Sequence, residues 1–453
     1  MKLITVVCAA LTIAASTTPV ARADTHPLAE RLRQAVLAQD FQDVLDLTPP
    51  EPVTRPAEQR EKHHPSAAEV MARVRTPSPG TPLHQPPNLD VAVIDLERRD
   101  LAVNVLFSPQ HRDGVVVPLR GLSTDQVRYR WWNDAEWDAN GGRGTRDVVQ
   151  GRENAPIDFA SPYPASVLKL MVGFGVLRLA DQGRIDLGAD YVYEPDPVRA
   201  ACGGRSVTKV RQHFDEMITK SQNESTCALV KLLHDLNAWD EVNRTFADLG
   251  LPTLILTGTI PGNGGDWSGA NMSALDTAKL LLLLNGGPGV LWTTDAGKPV
   301  TAGELSPSSR TFFLATLADQ GHNEMLSTPN WCGRGYPAPG IPHQVPARWI
   351  GPDGTTRVGD AIYDRDVRPC NEAAEVTFAH KTGWVDTAGS DAGIVKSLPG
   401  KDKRGYVVVV FGNLGMDHVD AARPADTPGV FPVLYTQKYA RLGREIDTLM
   451  KGS

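Results

Sequence analysis

Tyr163-Pro-Ala-Ser-Val-Leu-Lys-Leu-Met-Val172 is the stretch on which the reading of this chain turns. Ser166 and Lys169 stand three apart at what the pattern predicts to be the first turn of a helix. Residues at i and i+3 share a helix face, so the hydroxyl and the amine would point into the same space. Pro164 suits a helix start, where its missing N–H would be unpaired in any case. The positive end of the helix dipole favours negative charge developing on the serine oxygen. Leu168, Met171, Val172, Phe174, Val176, Leu177 and Leu179 leave few positions for water, so this helix should run through the middle of a domain. A lysine in such surroundings has a lowered pKa, and a neutral amine beside a serine can act as a base. Ser-x-x-Lys has only two fixed positions and chance supplies it often, so its meaning depends on the rest of the chain.

The chain has 453 residues, 41% hydrophobic and 22% charged, within the range of globular proteins. A net charge of −7 and the absence of a dense basic run give no case for nucleic acid. Lys2, the apolar run Ile4–Ala15 and Ala21-Arg22-Ala23 read as a signal peptide over 1–23, and the run is too short to span a bilayer. Its removal would take away Lys2 and Arg22 and leave a charge of −9. The expectation is a secreted protein with no membrane span, acting as a monomer. Cys202, Cys227, Cys332 and Cys370 would remain, and four cysteines allow three pairings. Pairing within each region gives Cys202–Cys227 and Cys332–Cys370. Their spacing fits no zinc pattern and no histidine motif accompanies them, so no metal and no other cofactor is expected.

Residues 24–87 read as an N-terminal extension. It opens with a helical pattern from Leu28 to Leu45, turns proline-rich, has a short helical pattern at Ser66–Val74, and ends in a linker at 77–82. From 88 to 453 the chain reads as one domain. Strand signals cover Asn88–Asp95, Leu101–Phe107 and Gly114–Leu119, and return at Val376–Lys381, Ala392–Lys396 and Tyr406–Phe411. Trp131, Trp132 and Trp137 either rim a pocket or anchor a loop. Helical patterns fill the middle: 206–250, a helix capped at Asn271–Asp276, and Ser308–Asp319; another closes the chain from Pro428 to Met450. Three strands alone make a marginal core, so early and late strands should meet in one sheet. The fold class expected is α+β, an antiparallel sheet flanked by helices with an inserted all-helical lobe, and a site in the cleft between them.

Two further stretches give Ser166 and Lys169 their context. Ser221-Gln-Asn223 lies between two helical segments, and Lys381-Thr382-Gly383-Trp384 lies on a late strand. The order Ser-x-x-Lys, Ser-x-Asn, Lys-Thr-Gly, with gaps of 55 and 160 residues, resembles that of the class A serine β-lactamases and penicillin-binding proteins. The resemblance covers roughly residues 88–450, including the flank Gly383–Val395. It implies a β-lactamase/transpeptidase-like fold, an acyl-enzyme, and a small-molecule substrate, β-lactam or peptide-like. In chemical terms Ser166 would attack a carbonyl, with Lys169 as its base or holding that base in place. Ser221 would relay a proton to the leaving nitrogen. Asn223 would bind a substrate amide, Lys381 and Thr382 a carboxylate, and Gly383 would let the strand approach closely. By resemblance, the oxyanion site is the backbone N–H of Ser166 and of Trp384. His380 should point away from Lys381, because side chains alternate along a strand. Ser221 and Asn223 also suit plain helix capping.

The pattern departs from the class A family in one respect that bears on mechanism. That family carries a glutamate that activates the deacylating water, and residues 251–270 contain none; Asp266 is their only carboxylate. Gln222 stands where aspartate is usual. Three functions stay open: a class A-type β-lactamase or related amide or ester hydrolase, a penicillin-binding or D-peptidase-like enzyme with slow deacylation, and a non-catalytic binding protein on the same scaffold. The glycine- and proline-rich excursion over 330–359 precedes Lys381, which makes it a candidate wall or lid.

Overall fold

The valine run Tyr406–Phe411 fixes the centre of the molecule. In the computed structural model the strand Gly405–Gly412 is the third of six in an antiparallel sheet. The order is Val376–Val385, Ala388–Ser397, Gly405–Gly412, Leu89–Asp95, Ala102–Ser108 and His111–Val116. Early and late strands thus pair directly, Val408 opposite Val93 and Val410 opposite Val91. The structure describes residues 27–46, 80–98, 101–334, 338–422 and 436–451. Residues 1–23, read as a signal peptide, the Ser66–Val74 pattern and the start of the closing helix at Pro428 lie outside them.

Side chains on this central strand alternate between two cores, which is why its sequence is a continuous apolar run rather than an alternating one. Val407, Val409 and Phe411 pack with Ala92, Ile94 and the helical lobe, whereas Val408 and Val410 pack on the opposite side with Val91 and Val93. The lobe comprises Lys169–Asp181, Val210–Thr219, Asn223–Asp235 and Trp239–Asp248, with Ala274–Asn285 and Pro307–Ala318 between it and the sheet. Ser273 caps the fifth of these by accepting from the Asp276 N–H, and Ser306 caps the sixth, with Pro307 in its first turn. The architecture is α+β with an inserted helical lobe.

The second core is covered by both chain ends. Leu28, Leu32 and Val36 on helix Pro27–Leu37 meet Leu442 and Ile446 on helix Thr436–Lys451, and Phe41 packs edge-on against Tyr439. The helical pattern through Leu45 breaks early. Helix 27–37 ends at Leu37, Asp40 turns the chain at φ 49°, and Val44–Asp46 is a strand paired with His418–Asp420. Hydrogen bonding to that edge overrides the local helical spacing. Ser206–Lys209, read as helix, is likewise a strand paired with Asp190–Tyr193.

Both cysteine pairings within regions are present, Cys202–Cys227 and Cys332–Cys370. The first ties the segment before residue 206 to helix Asn223–Asp235, and the second closes the excursion. Arg348 anchors that excursion to the lobe through Asp215 (2.8 and 2.9 Å) and Asp319 (3.1 Å).

Candidate active site

Ser166 enters the cleft from a tight turn rather than from a regular helix. Ala165–Leu168 form one 3₁₀ turn, and the α-helix starts at Lys169. Ala165 is held at φ 48°, a left-handed conformation that costs a residue with a β-carbon about 1–2 kcal/mol and so persists only where packing enforces it. The enforcing contacts come from the sheet. The Ser390 hydroxyl donates to Pro164 O (2.7 Å) and lies 3.0 Å from Gly383 O. A β-carbon on Gly383 would lie 2.7 Å from Ser166 N and 2.9 Å from Pro164 O, so only glycine lets strand Val376–Val385 approach the turn this closely.

Lys169 is 1% exposed. Its Nζ lies 3.0 Å from Ser166 Oγ, 2.6 Å from Ser221 O, 3.2 Å from Ser221 Oγ and 2.9 Å from Asn223 Oδ1. Burial, then the nearby Lys381 charge, push this amine well below the usual lysine range, with the charge of Glu224 acting the other way. In the neutral amine the lone pair is free to accept the Ser166 proton, while the N–H groups donate to Ser221 O and Asn223 Oδ1.

Ser221 reaches this position at φ 56°, after helix Val210–Thr219 has ended, and Asn223 opens the next helix. Neither side chain caps that helix. Both face Lys169 instead. Lys381, buried completely, donates to Ser221 Oγ (2.9 Å) and to Thr382 O (2.7 Å). Burial pushes it down to about 7 against the opposing charge of Asp391. On the other face of the strand His380 bonds Asp391 (2.8 Å) and Asn323 (2.9 Å) and stacks on Phe378, away from Lys381.

A cleft of about 490 Å³ opens above these groups. Ser166, Ser221, Asn223, Thr382, Gly383 and Trp384 line it, with Lys169 and Lys381 packed beneath. All eight sequence-derived positions therefore converge on one place.

The cleft also holds residues that no motif marked. Glu224 follows Asn223 and lines the opening, and Lys220 and Asp360 add further charge to the rim. His322 sits between the motifs, its Nε2 3.1 Å from Lys220 O and its carbonyl accepting from Thr382 Oγ1 (3.4 Å). Burial and the Lys381 charge push it down to about 4, so it is neutral. Behind Trp384, Glu324 is fully buried, accepts from the Tyr363 hydroxyl and lies against the Trp384 indole; burial pushes its carboxyl up to about 7. Of these, only Glu224 had a signal available in the sequence, its place beside Ser-x-Asn.

The excursion supplies one wall: Val358–Ala361, on the hairpin Thr356–Val358 and Ala361–Tyr363, line the cleft. None of Trp131, Trp132 and Trp137 does; Trp132 and Trp137 pack on each other at 4.6 Å, which is loop anchoring. Asp266 is exposed, bonds within its own turn to Ser268 (2.7 Å), acts through its charge on the buried Tyr163, and is not among the lining residues. Its loop is pressed onto helix Asn223–Asp235 at Gly264, where a β-carbon would lie 2.0 Å from Cys227 O. Among the described residues no group of three His, Cys, Asp or Glu is placed to hold a metal ion.

The model of the beta-lactamase enzyme family matches residues 140–328, a span that contains Ser166, Lys169, Ser221 and Asn223 and stops before Lys381. Among curated proteins none matches the chain. Solved structures similar to it include PBP-A, 17% identical, covering 86% of this chain and 100% of that one with a TM-score of 0.44. A beta-lactamase from Chitinophaga pinensis is also 17% identical, covering 84% and 96% with a TM-score of 0.42. An ancestral class A beta-lactamase is 16% identical over 84% and 97%, again at 0.42. Residues 140–328 are thus similar to the beta-lactamase enzyme family, and the match covers the first two motifs, while the third, on strand Val376–Val385, completes the same cleft.

Proposed function

We propose that this protein is a secreted serine hydrolase that forms an acyl-enzyme through Ser166 on β-lactams or related amide and ester substrates. One observation carries the reading: a buried lysine with a depressed pKa stands 3.0 Å from a serine hydroxyl that opens onto a cleft. Lys169 takes the Ser166 proton as Oγ attacks the carbonyl carbon. The oxyanion forms against the N–H groups of Ser166 and Trp384, on either side of the close approach at Gly383. Ser221, between Lys169 and Lys381, passes a proton to the leaving nitrogen. Lys381 and Thr382 hold the substrate carboxylate, and Asn223 its side-chain amide.

A second reading, a penicillin-binding or D-peptidase-like enzyme with a long-lived acyl-enzyme, is favoured by the loop 251–270, whose sole carboxylate lies outside the cleft lining. Intact mass spectrometry over time with benzylpenicillin tests both. Wild type should gain one penicilloyl group and Ser166→Ala none. An adduct that decays within minutes supports the hydrolase, and one that persists for hours the second reading. No adduct together with no hydrolysis of benzylpenicillin by wild type would defeat both β-lactam readings and leave an ester or peptide hydrolase.

A further inference from the structure

We infer that Glu224 is the general base for deacylation, taking a proton from the water that attacks the Ser166 ester. This rests on the acyl-enzyme reading above and adds the group that reading lacks. Four observations point to Glu224 over the other carboxylates near the site.

First, it lines the cleft together with Ser166, whereas Asp266 does not. Second, its carboxylate is engaged by no hydrogen bond or ion pair to any described residue, so its lone pairs are available to water. Third, it adjoins Asn223, whose Oδ1 accepts from Lys169, and its charge is the one carboxylate charge among those acting on Lys169. Fourth, the stem is seated. A β-carbon on Gly203 would lie 2.9 Å from Glu224 Cγ, and the neighbouring Cys202 is bonded to Cys227 on the Glu224 helix. The disulfide thus fixes a glycine against the glutamate stem and limits where the carboxylate can swing. Of the remaining acids, Asp360 also lines the cleft, but on the hairpin whose Val358 packs at Gly321, beside His322 and Thr382, and its charge is not among those acting on Lys169. Glu324 is sealed behind Trp384.

The step balances without a co-reactant. The water oxygen bonds to the acyl carbon as one of its protons passes to the Glu224 carboxylate. The bond from the acyl carbon to Ser166 Oγ then breaks, and the proton returns through Lys169 to Oγ. The products are the free acid and the resting serine.

The test is single-turnover mass spectrometry of the full-length mature protein with benzylpenicillin, for wild type, Glu224→Gln and Glu224→Asp. Glu224 is exposed, so neither variant should disturb folding, and a thermal melt checks this. In Glu224→Gln the adduct should form at about the wild-type rate and last at least about 100-fold longer, the scale of a lost general base, with partial recovery in Glu224→Asp. Equal adduct lifetimes in wild type and Glu224→Gln overturn this inference alone. So does a change confined to KM, which would make Glu224 a substrate contact, and so does a wild-type adduct that already persists for hours. Absence of any adduct on both wild type and Glu224→Gln, with no hydrolysis of benzylpenicillin, overturns the acyl-enzyme reading and this inference with it.

Discussion

Lys169 and Lys381 meet on one oxygen, Ser221 Oγ, at 3.2 and 2.9 Å. Two buried amines on a single hydroxyl cannot both hold a proton cheaply, and Lys169 titrates in the field of Lys381. Acylation should rise with pH as Lys169 loses its proton, since its base form is the neutral amine. It should fall above about 7, where Lys381 loses the charge that would hold a substrate carboxylate. A pH profile of kcat/KM for a carboxylate-bearing substrate should therefore be bell-shaped. A profile flat from pH 6 to 9 would contradict these roles.

Removing the shared oxygen gives a sharper test. Ser221→Ala should lower the acylation rate by about 10²–10³-fold through loss of the proton relay. It also deprives both amines of an acceptor in a buried site, so a loss of about 1–3 kcal/mol in stability is expected alongside. Urea melts and penicillin acylation rates measured together separate the two effects.

Gly383→Ala should abolish acylation by altering the nucleophile turn rather than the nucleophile. The new methyl would collide with Ser166 N at 2.7 Å and Ser390 Oγ at 2.6 Å, forcing strand and turn apart. Acylation should fall by at least about 100-fold, the scale of a misplaced reacting group. A variant that acylates at the wild-type rate would show that the close approach is not required.

The Glu324 contribution to stability should fall as pH rises from about 4.5 to 7, against the rise that His322, pushed down to about 4, contributes over much of the same range. Glu324 is pushed up to about 7 by burial, so the folded state keeps a proton that the unfolded chain gives up near 4.5. The favourable contribution is complete below 4.5 and is lost through 7, about 3 kcal/mol in all. Asp90, also raised to about 7 by burial, acts in the same direction. Glu324→Gln keeps an acceptor for Tyr363 and cannot ionise, so it should flatten part of this slope in urea melts at pH 5 and 8. An unchanged slope would show that Glu324 does not change its protonation between these two pH values.

Reducing the disulfides should cost stability in proportion to the loops they close. Sequence separations of 25 and 38 correspond to about 3–4 kcal/mol each by chain entropy. The functional effects should differ. The Cys332→Ser, Cys370→Ser double variant loosens the excursion that carries the cleft wall Val358–Ala361, so KM should rise more than acylation slows. Equal changes in both would argue against a wall that only contacts substrate.

Local pattern determined a good deal of this molecule. Tyr406–Phe411 marks a central strand because it is apolar throughout, Ser273 marks a helix start because its hydroxyl suits an orphan N–H, and Ser166, Lys169, Ser221, Asn223 and Lys381–Trp384 are legible because their spacing is a chemical signature. Each of these is a property of a few consecutive residues or of fixed intervals. Tertiary structure decided the rest. It drew Val44–Asp46 out of a helical pattern by pairing it with a distant strand, and it held Ala165 and Ser221 at positive φ through contacts with the sheet and with Lys169. It turned Asp266 outward and set Glu224 at the cleft, where the sequence offered only the place of Glu224 beside Ser-x-Asn. Burial and charge at Lys169, Lys381 and Glu324 arise from segments far apart in the chain, and proton affinity follows from that packing rather than from residue type.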